Sequence, residues 1–192
     1  MSKINSQILT IVGGSGFIGK SIIDAFNNGL LRKHQIDKIN IICRKKFKFR
    51  KKKTSLKKVR IIYADIGKTN NLPRSDLYIY AAETTDVKDL LKKNLKAKHK
   101  KNIQNFIKLV SRYKNSKVLY TSSGAVNYLN KKNFQDPYKI QYTKLKIFSE
   151  REIKKLQKFK IKSSIARCYT FIGPHLPVKK HYAIGNFLYS AK

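Results

Sequence analysis

Tyr142, Lys146 and Glu150 stand at i, i+4 and i+8 in the stretch YTKLKIFSE, so a helix there carries all three on one face. A free phenol titrates near ~10, and an ammonium one turn away favours the phenolate and lowers that value. Tyr142 can then exchange a proton with a hydroxyl or carbonyl near neutral pH. Ser123 ends the run KVLYTSS and could hydrogen-bond the same substrate oxygen, holding it beside Tyr142. The Tyr-x-x-x-Lys spacing arises easily in a lysine-rich chain. The competing reading is a tyrosine that merely packs on an amphipathic helix.

The stretch IVGGSGFIGKS offers a different chemistry. Gly14, Gly16 and Gly19 satisfy G-x-G-x-x-G, and Gly13, Gly16 and Gly19 satisfy G-x-x-G-x-x-G. Glycine permits a tight turn and lets a pyrophosphate approach the backbone. The helix that opens at Phe17 and Ile18 then presents unpaired N–H groups and its positive dipole end to that anion. The string follows an apolar strand and starts a strand–helix–strand pattern, the context in which it signals a dinucleotide cradle.

The residues after the second strand bear on the cofactor. An acidic residue there would take the adenine ribose 2′-hydroxyl, but Cys43, Arg44, Lys45 and Lys46 occupy the place. Clustered cations suit a 2′-phosphate, which favours NADP over NAD; the alternative is that they belong to the general lysine bias. Asp65, in YADIG, could accept from the adenine amino group or simply cap a turn.

These residues need a scaffold, and the hydropathy pattern supplies one. Short apolar runs at 7–12, 38–43, 59–64, 76–82, 117–123 and 161–169 read as strands. Segments 17–31, 86–113 and 138–159 have apolar residues at helical spacing, and another helix starts near Ala183. Near-continuously apolar strands separated by helices predict a doubly wound parallel α/β sheet, with helices on both faces and a ligand beyond the strand C-termini.

Composition sets the outer limits. A chain of 192 residues suits one domain and can bury a core without disulfides. Cys43 and Cys168 read as buried reduced thiols. The four histidines, His34, His99, His175 and His181, show no metal-ligand spacing, so no metal is expected and none is assigned catalysis. No apolar run approaches the ~20 residues of a membrane helix, and the N-terminus has no apolar signal core, so a cytoplasmic protein is expected. Lys plus Arg is 44 against 10 Asp plus Glu, a formal charge of +34. Weak, salt-dependent polyanion binding follows from charge alone. The densest run, Arg44 to Lys58, is either a phosphate-binding patch with Phe47 and Phe49 interleaved or a solvated loop.

The ordered set GGSGFIG (13–19), YADI (63–66), AAET (81–84), Asn94, YTSSGAV (120–126), YTKLK with Glu150, and RCYTFIGP (167–174) resembles the extended short-chain dehydrogenase/reductase family, in particular its nucleotide-sugar epimerase/dehydratase group. The resemblance runs through nearly the whole chain and implies a Rossmann fold over residues 1–192. It implies a catalytic triad of Ser123, Tyr142 and Lys146. It implies a cofactor site formed by Gly13, Gly16, Phe17, Ile18, Gly19, Arg44, Asp65, Ile66, Ala81, Ala82, Tyr142, Lys146, Cys168, Tyr169 and Thr170. Tyr142 would move a proton while hydride passes to or from the nicotinamide of NADP, or of NAD. The tail GPHLPVKKHYAIGNFL is similar to proteins of surface-polysaccharide gene clusters.

The chain departs from the family pattern in several places. Asn127 and Tyr128 stand where members often carry Tyr-Gly, and Thr170 where many have Asn. Sugar 4,6-dehydratases carry an Asp-Glu pair after the serine, whereas Gly124 and Ala125 follow Ser123, which points to epimerisation or keto reduction. Members continue for ~100 further residues into a substrate domain. The expectation is therefore a fragment whose residues from about 175 begin a truncated substrate region. Members commonly dimerise through the two long helices, here 86–113 and 138–159, and two chains of charge +34 would repel unless salt screens them. The rival readings are a non-catalytic NADP-binding or RNA-binding module, and an inactive fragment.

Overall fold

The computed structural model describes residues 6–47, 58–83, 94–130, 135–176 and 190. Six strands form one parallel sheet: β1 (Gln7–Val12), β2 (Ile36–Cys43), β3 (Val59–Tyr63), β4 (Leu77–Tyr80), β5 (Lys117–Ser123) and β6 (Lys162–Cys168). Their spatial order is β3-β2-β1-β4-β5-β6. The reversal between β1 and β4 is the switch point at which such sheets open a crevice for ligand.

Alternate strand residues feed two cores, because successive side chains in a strand point to opposite faces. Leu9 and Ile11 of β1 join Ile39 and Ile41 of β2 and Ile23 of α1 (Phe17–Asn27) on one face. Val12, Ile42, Tyr78, Tyr80, Val118 and Tyr120 join the helices α2 (Leu95–Val110) and α3 (Pro137–Lys154) on the other. Ile103, Phe106 and Val110 of α2 and Ile153 of α3 are fully buried. Each such side chain contributes roughly 1.5–3 kcal/mol relative to exposure. The doubly wound parallel sheet expected from the sequence is the fold observed.

Helix limits differ from the sequence reading. The first helix stops at Asn27 rather than near Leu31, because Gly29 turns the chain at φ +76 and a short 3-10 turn, Arg32–His34, follows. The helix expected over 86–113 is seen as Leu95–Val110, and its stretch 86–93 lies outside the described residues. The helix expected over 138–159 begins at Pro137, where Asp136 accepts from the amides of Tyr138 and Lys139, and tightens to 3-10 geometry from Lys155. Most of the Arg44–Lys58 run and the helix expected from Ala183 also lie outside the described residues. Both cysteines are free, but only Cys43 is buried; Cys168 is half-exposed at the open end of β6. No helix among the described residues is long and apolar enough to cross a membrane.

Candidate active site

The glycine loop sits at the C-terminal end of β1, in the middle of the sheet. Gly13 has φ +98, and a Cβ there would lie 2.5 Å from the Ala81 carbonyl oxygen, so the loop can press against the end of β4 only as glycine. Gly19 lies against the backbone of Gly14, which brings α1 tightly onto the loop. The N-terminus of α1 has no side-chain cap and no acidic residue in its first turn. Its leading amides, from Phe17 onward, therefore face the loop without a competing anion, the arrangement a diphosphate requires.

A cleft of about 410 Å³ opens over this loop, within the size range of cofactor sites. Gly13 and Gly16 line its floor. Cys43, Arg44 and Lys45 line one end, with Ala64 and Ile66 beside them. Ala81, Ala82, Glu83 and His99 line the other. Asp65 lies between two cleft residues, and its carboxylate accepts from the Gly67 amide at 2.9 Å, closing a local turn.

Lys146 is buried beneath the far end of the cleft. Its ammonium pairs with the carboxylate of Glu83 and donates to the Thr121 carbonyl at 2.8 Å. Two of its three donors are thereby committed to the protein. The Nζ stands 5.5 Å from the centre of the half-buried Tyr142 ring and 5.2 Å from that of Tyr120. Burial pulls the Lys146 ammonium down, but the charge and hydrogen bond of Glu83 more than offset this, and the group titrates above its ordinary value. Glu83 also accepts from the Tyr120 hydroxyl at 2.6 Å and lies 3.7 Å from His99. His99 shares a 2.7 Å hydrogen bond with Ser149, and burial holds it below the ordinary imidazole value, so it is neutral at pH 7.

Glu83 and His99 are the residues that sequence reasoning missed. Glu83 was visible in AAET, but nothing in the spacing said that it would reach a lysine 63 positions later. Burial of His99 on the inner face of α2 was legible only in part, since lysines flank it on both sides.

Ser123 ends β5, opposite Cys168 of β6, and its hydroxyl accepts from the Ala125 amide at 3.2 Å. Tyr169 is two-thirds exposed and lies across Gly124, where a Cβ would collide with its ring. Thr170 is exposed. Phe171 packs edge-on against Phe17, 5.3 Å between ring centres, and His175 pairs with Asp24 at 2.6 Å. These contacts draw the segment after β6 back onto α1. Among the described residues no cluster of three His, Cys, Asp or Glu side chains could hold a metal.

Glu150, the third member of the Tyr142 face, has a structural task. It is buried and accepts from Ser122 at 2.6 Å and from two Arg167 nitrogens at 3.0 and 2.7 Å. Arg167 continues to Asn127, whose amide reaches the Tyr169 hydroxyl. Burial alone would raise the Glu150 carboxyl, but the Arg167 and Ser122 hydrogen bonds and the Arg167 charge bring it below its ordinary value. A depressed folded-state pKa adds stability that is complete above the unfolded value of ~4.3 and is lost as pH falls through the folded value. Glu150→Gln is therefore expected to lower the melting temperature at neutral pH. Its gap from the wild type should narrow as pH drops below the carboxylate range. A gap constant across that range would exclude this linkage.

The fold agrees with the comparisons. A UDP-N-acetylglucosamine 4-epimerase from Methanobrevibacter ruminantium, solved with UDP-N-acetylmuramic acid, is 20% identical, with a TM-score of 0.74 over 97% of this chain and 63% of its own. The Bordetella bronchiseptica enzyme WbmF, solved with NAD+, is 18% identical, with a TM-score of 0.68 over 91% of this chain and 53% of its own. A double mutant of DesIV, a dTDP-glucose 4,6-dehydratase from Streptomyces venezuelae solved with NAD, is 15% identical, with a TM-score of 0.70 over 95% of this chain and 62% of its own. The chain thus spans between about half and two thirds of the length of these proteins. At these identities the likeness shows the fold. No curated protein matches the chain. A family model matches residues 10–171, which take in the glycine loop, the cleft and the Tyr142–Lys146 helix. On that match the chain belongs to the 3-beta hydroxysteroid dehydrogenase/isomerase family, within the extended short-chain dehydrogenases/reductases.

Proposed function

We propose that this chain is the cofactor-binding part of an NAD(P)-dependent epimerase or keto-reductase of nucleotide sugars, with Tyr142 as the acid/base. The observation that carries the reading is the Lys146 ammonium one helical turn from Tyr142, anchored by Glu83, which lines a cleft floored by Gly13 and Gly16. The family description names steroids, whereas the solved relatives were crystallised with NAD, UDP or UDP-sugars. The nucleotide-sugar assignment rests on those relatives together with the sequence motifs.

The residues fit a dinucleotide. The uncapped start of α1, at Phe17, Ile18 and Gly19, would hold the diphosphate. Arg44 at the cleft's edge would meet a 2′-phosphate, so NADP is preferred over NAD. Asp65 and Ile66 would frame the adenine, and Ala81 and Ala82 would lie along the path to the nicotinamide. Cys168, Tyr169 and Thr170 would face that ring. The bound nicotinamide supplies a hydride acceptor or donor. Ser123 would orient the sugar oxygen, Tyr142 would take or return its proton, and Lys146 would hold the ribose and favour the phenolate. Residues from about 175 would begin the region that covers the sugar. Dimerisation through α2 and α3 and a cytoplasmic location belong to the same reading.

Titration of the chain with NADPH, NADH and a charge-matched polyphosphate at moderate salt tests it. NADPH is expected to bind saturably and more tightly than NADH, with no mimicry by polyphosphate. Exposed lysines on α2, such as Lys96, Lys98, Lys101 and Lys108, give the cationic surface a rival role. An equal response to every polyanion would favour the polyanion-binding module and remove the cofactor reading.

A further inference from the structure

Sheet topology decides which half of a dinucleotide meets which residues. The glycine loop leaves β1, which has β2 on one side and β4 then β5 on the other. A ligand whose diphosphate rests on that loop sends one nucleoside toward Arg44 beyond β2 and the other toward Glu83 beyond β4. The cleft lining connects the same two ends.

At the second end lies a buried ion pair, with the Glu83 and Lys146 side chains each 6% exposed. The other titratable groups facing Lys146 come from every element around it. His99 reaches in from α2, Tyr120 from β5, Tyr142 from α3 and Cys168 from β6. Burial keeps His99 neutral and pushes the Tyr120 phenol and the Cys168 thiol up, so all three are uncharged at pH 7. Apart from Tyr142, whose phenol gains or loses the proton in the proposed reaction, what remains is one carboxylate against one ammonium. A buried pair is screened little by salt, so removing either charge leaves a field that a bound ring would feel.

We propose that Glu83 is a charge-balancing residue: by pairing with Lys146 it keeps the nicotinamide end of the cleft electroneutral and so sets the site's choice between the oxidised and the reduced cofactor. The inference rests on the reading of the cleft as a nicotinamide dinucleotide site. The oxidised ring is a cation and the reduced ring is neutral, so only the oxidised form is repelled by an unbalanced ammonium. Effects on ribose or phosphate contacts are common to both forms and cancel in the ratio of their dissociation constants.

The test is that ratio, oxidised over reduced, for the full chain in mildly acidic buffer, where Lys146 keeps its proton. The reduced form is read by its fluorescence and the oxidised form by competition. Glu83→Gln is expected to raise the ratio by about tenfold, the effect of a unit charge about 10 Å away at an effective dielectric of about 20. Lys146→Met, compared with the wild type in mildly alkaline buffer so that the stranded Glu83 carboxylate stays ionised, should lower it. The double variant Glu83→Gln with Lys146→Met restores neutrality and should return the ratio to within about twofold of the wild type. Either single change strands a buried charge, whereas the double change does not, so the double variant is the one expected to fold best. If Glu83→Gln does not fold, Lys146→Met reads the same coupling with the opposite sign. An unchanged ratio in a folded single variant, or a double variant that stays shifted, overturns the inference and leaves the cleft reading standing. Failure of the wild type to bind either form overturns the cleft reading, and this inference with it.

Discussion

Tyr142→Phe is expected to lower kcat by about 10²–10⁴-fold while leaving the dissociation constant for NADPH within about twofold. The substitution removes one oxygen. It keeps the ring, which is half-buried on α3 and stands 5.5 Å from the Lys146 ammonium. Proton transfer is lost and packing is retained. Tyr120 cannot take over: its hydroxyl is committed to Glu83, and burial beside that carboxylate raises its pKa well above the ordinary phenol value. Turnover is to be measured on UDP-sugars, and binding by nicotinamide fluorescence. Persistent turnover would refute the assignment of Tyr142, and loss of cofactor binding alongside turnover would make its role structural.

Gly13→Ala should be nearly as damaging, and through the other half of the site. At φ +98 a side chain is strained by about 1–3 kcal/mol. The added Cβ would also meet the Ala81 carbonyl at 2.5 Å and the Ala82 amide at 2.6 Å. Both are backbone atoms at the end of β4, and the Ala81 amide is itself bonded to the Val12 carbonyl at 2.8 Å. The strand end must move, and with it Glu83 and the anchor of Lys146. The melting temperature should fall, and dinucleotide affinity should drop by about a hundredfold, the loss of close phosphate–backbone approach. Gly16→Ala is the control for stability, because Gly16 has φ −80 and its nearest contact for a Cβ is 3.4 Å away. A Gly13→Ala protein that melts and binds like the wild type would show that the loop is not pressed against β4 in solution.

Local patterns in the sequence were enough to mark most elements and the motifs that lie within one or between neighbours. Short, near-continuously apolar runs marked six strands, and the glycine string marked the turn between β1 and α1. The Tyr142–Lys146–Glu150 spacing marked one helical face, because helix geometry relates i to i+4 without reference to the rest of the chain. Helix ends were less legible. The first helix stops at Asn27 because Gly29 reverses the backbone, and the apolar pattern runs on past that point. The ordered motifs, taken as a resemblance, reached further than any one of them and led to the extended short-chain dehydrogenases/reductases, the wider group of the family model that matches residues 10–171.

Partner choice across the fold was decided by the tertiary structure alone. Lys146 and Glu150 share a face, yet the first turns to Glu83 at the end of β4 and the second to Arg167 on β6. Those pairings exist because β4 and β6 lie on either side of β5 beneath α3, an adjacency set by strand order and not by spacing along the chain. The same crossing of elements buries His99 beside Ser149 and places Arg44 and Glu83 at opposite ends of one cleft. The sequence by itself determined the elements and the kinds of group available to them. Which charges became neighbours was decided when the sheet closed around β1 and β4, because electrostatic coupling depends on distance through space, and only the packed sheet sets that distance.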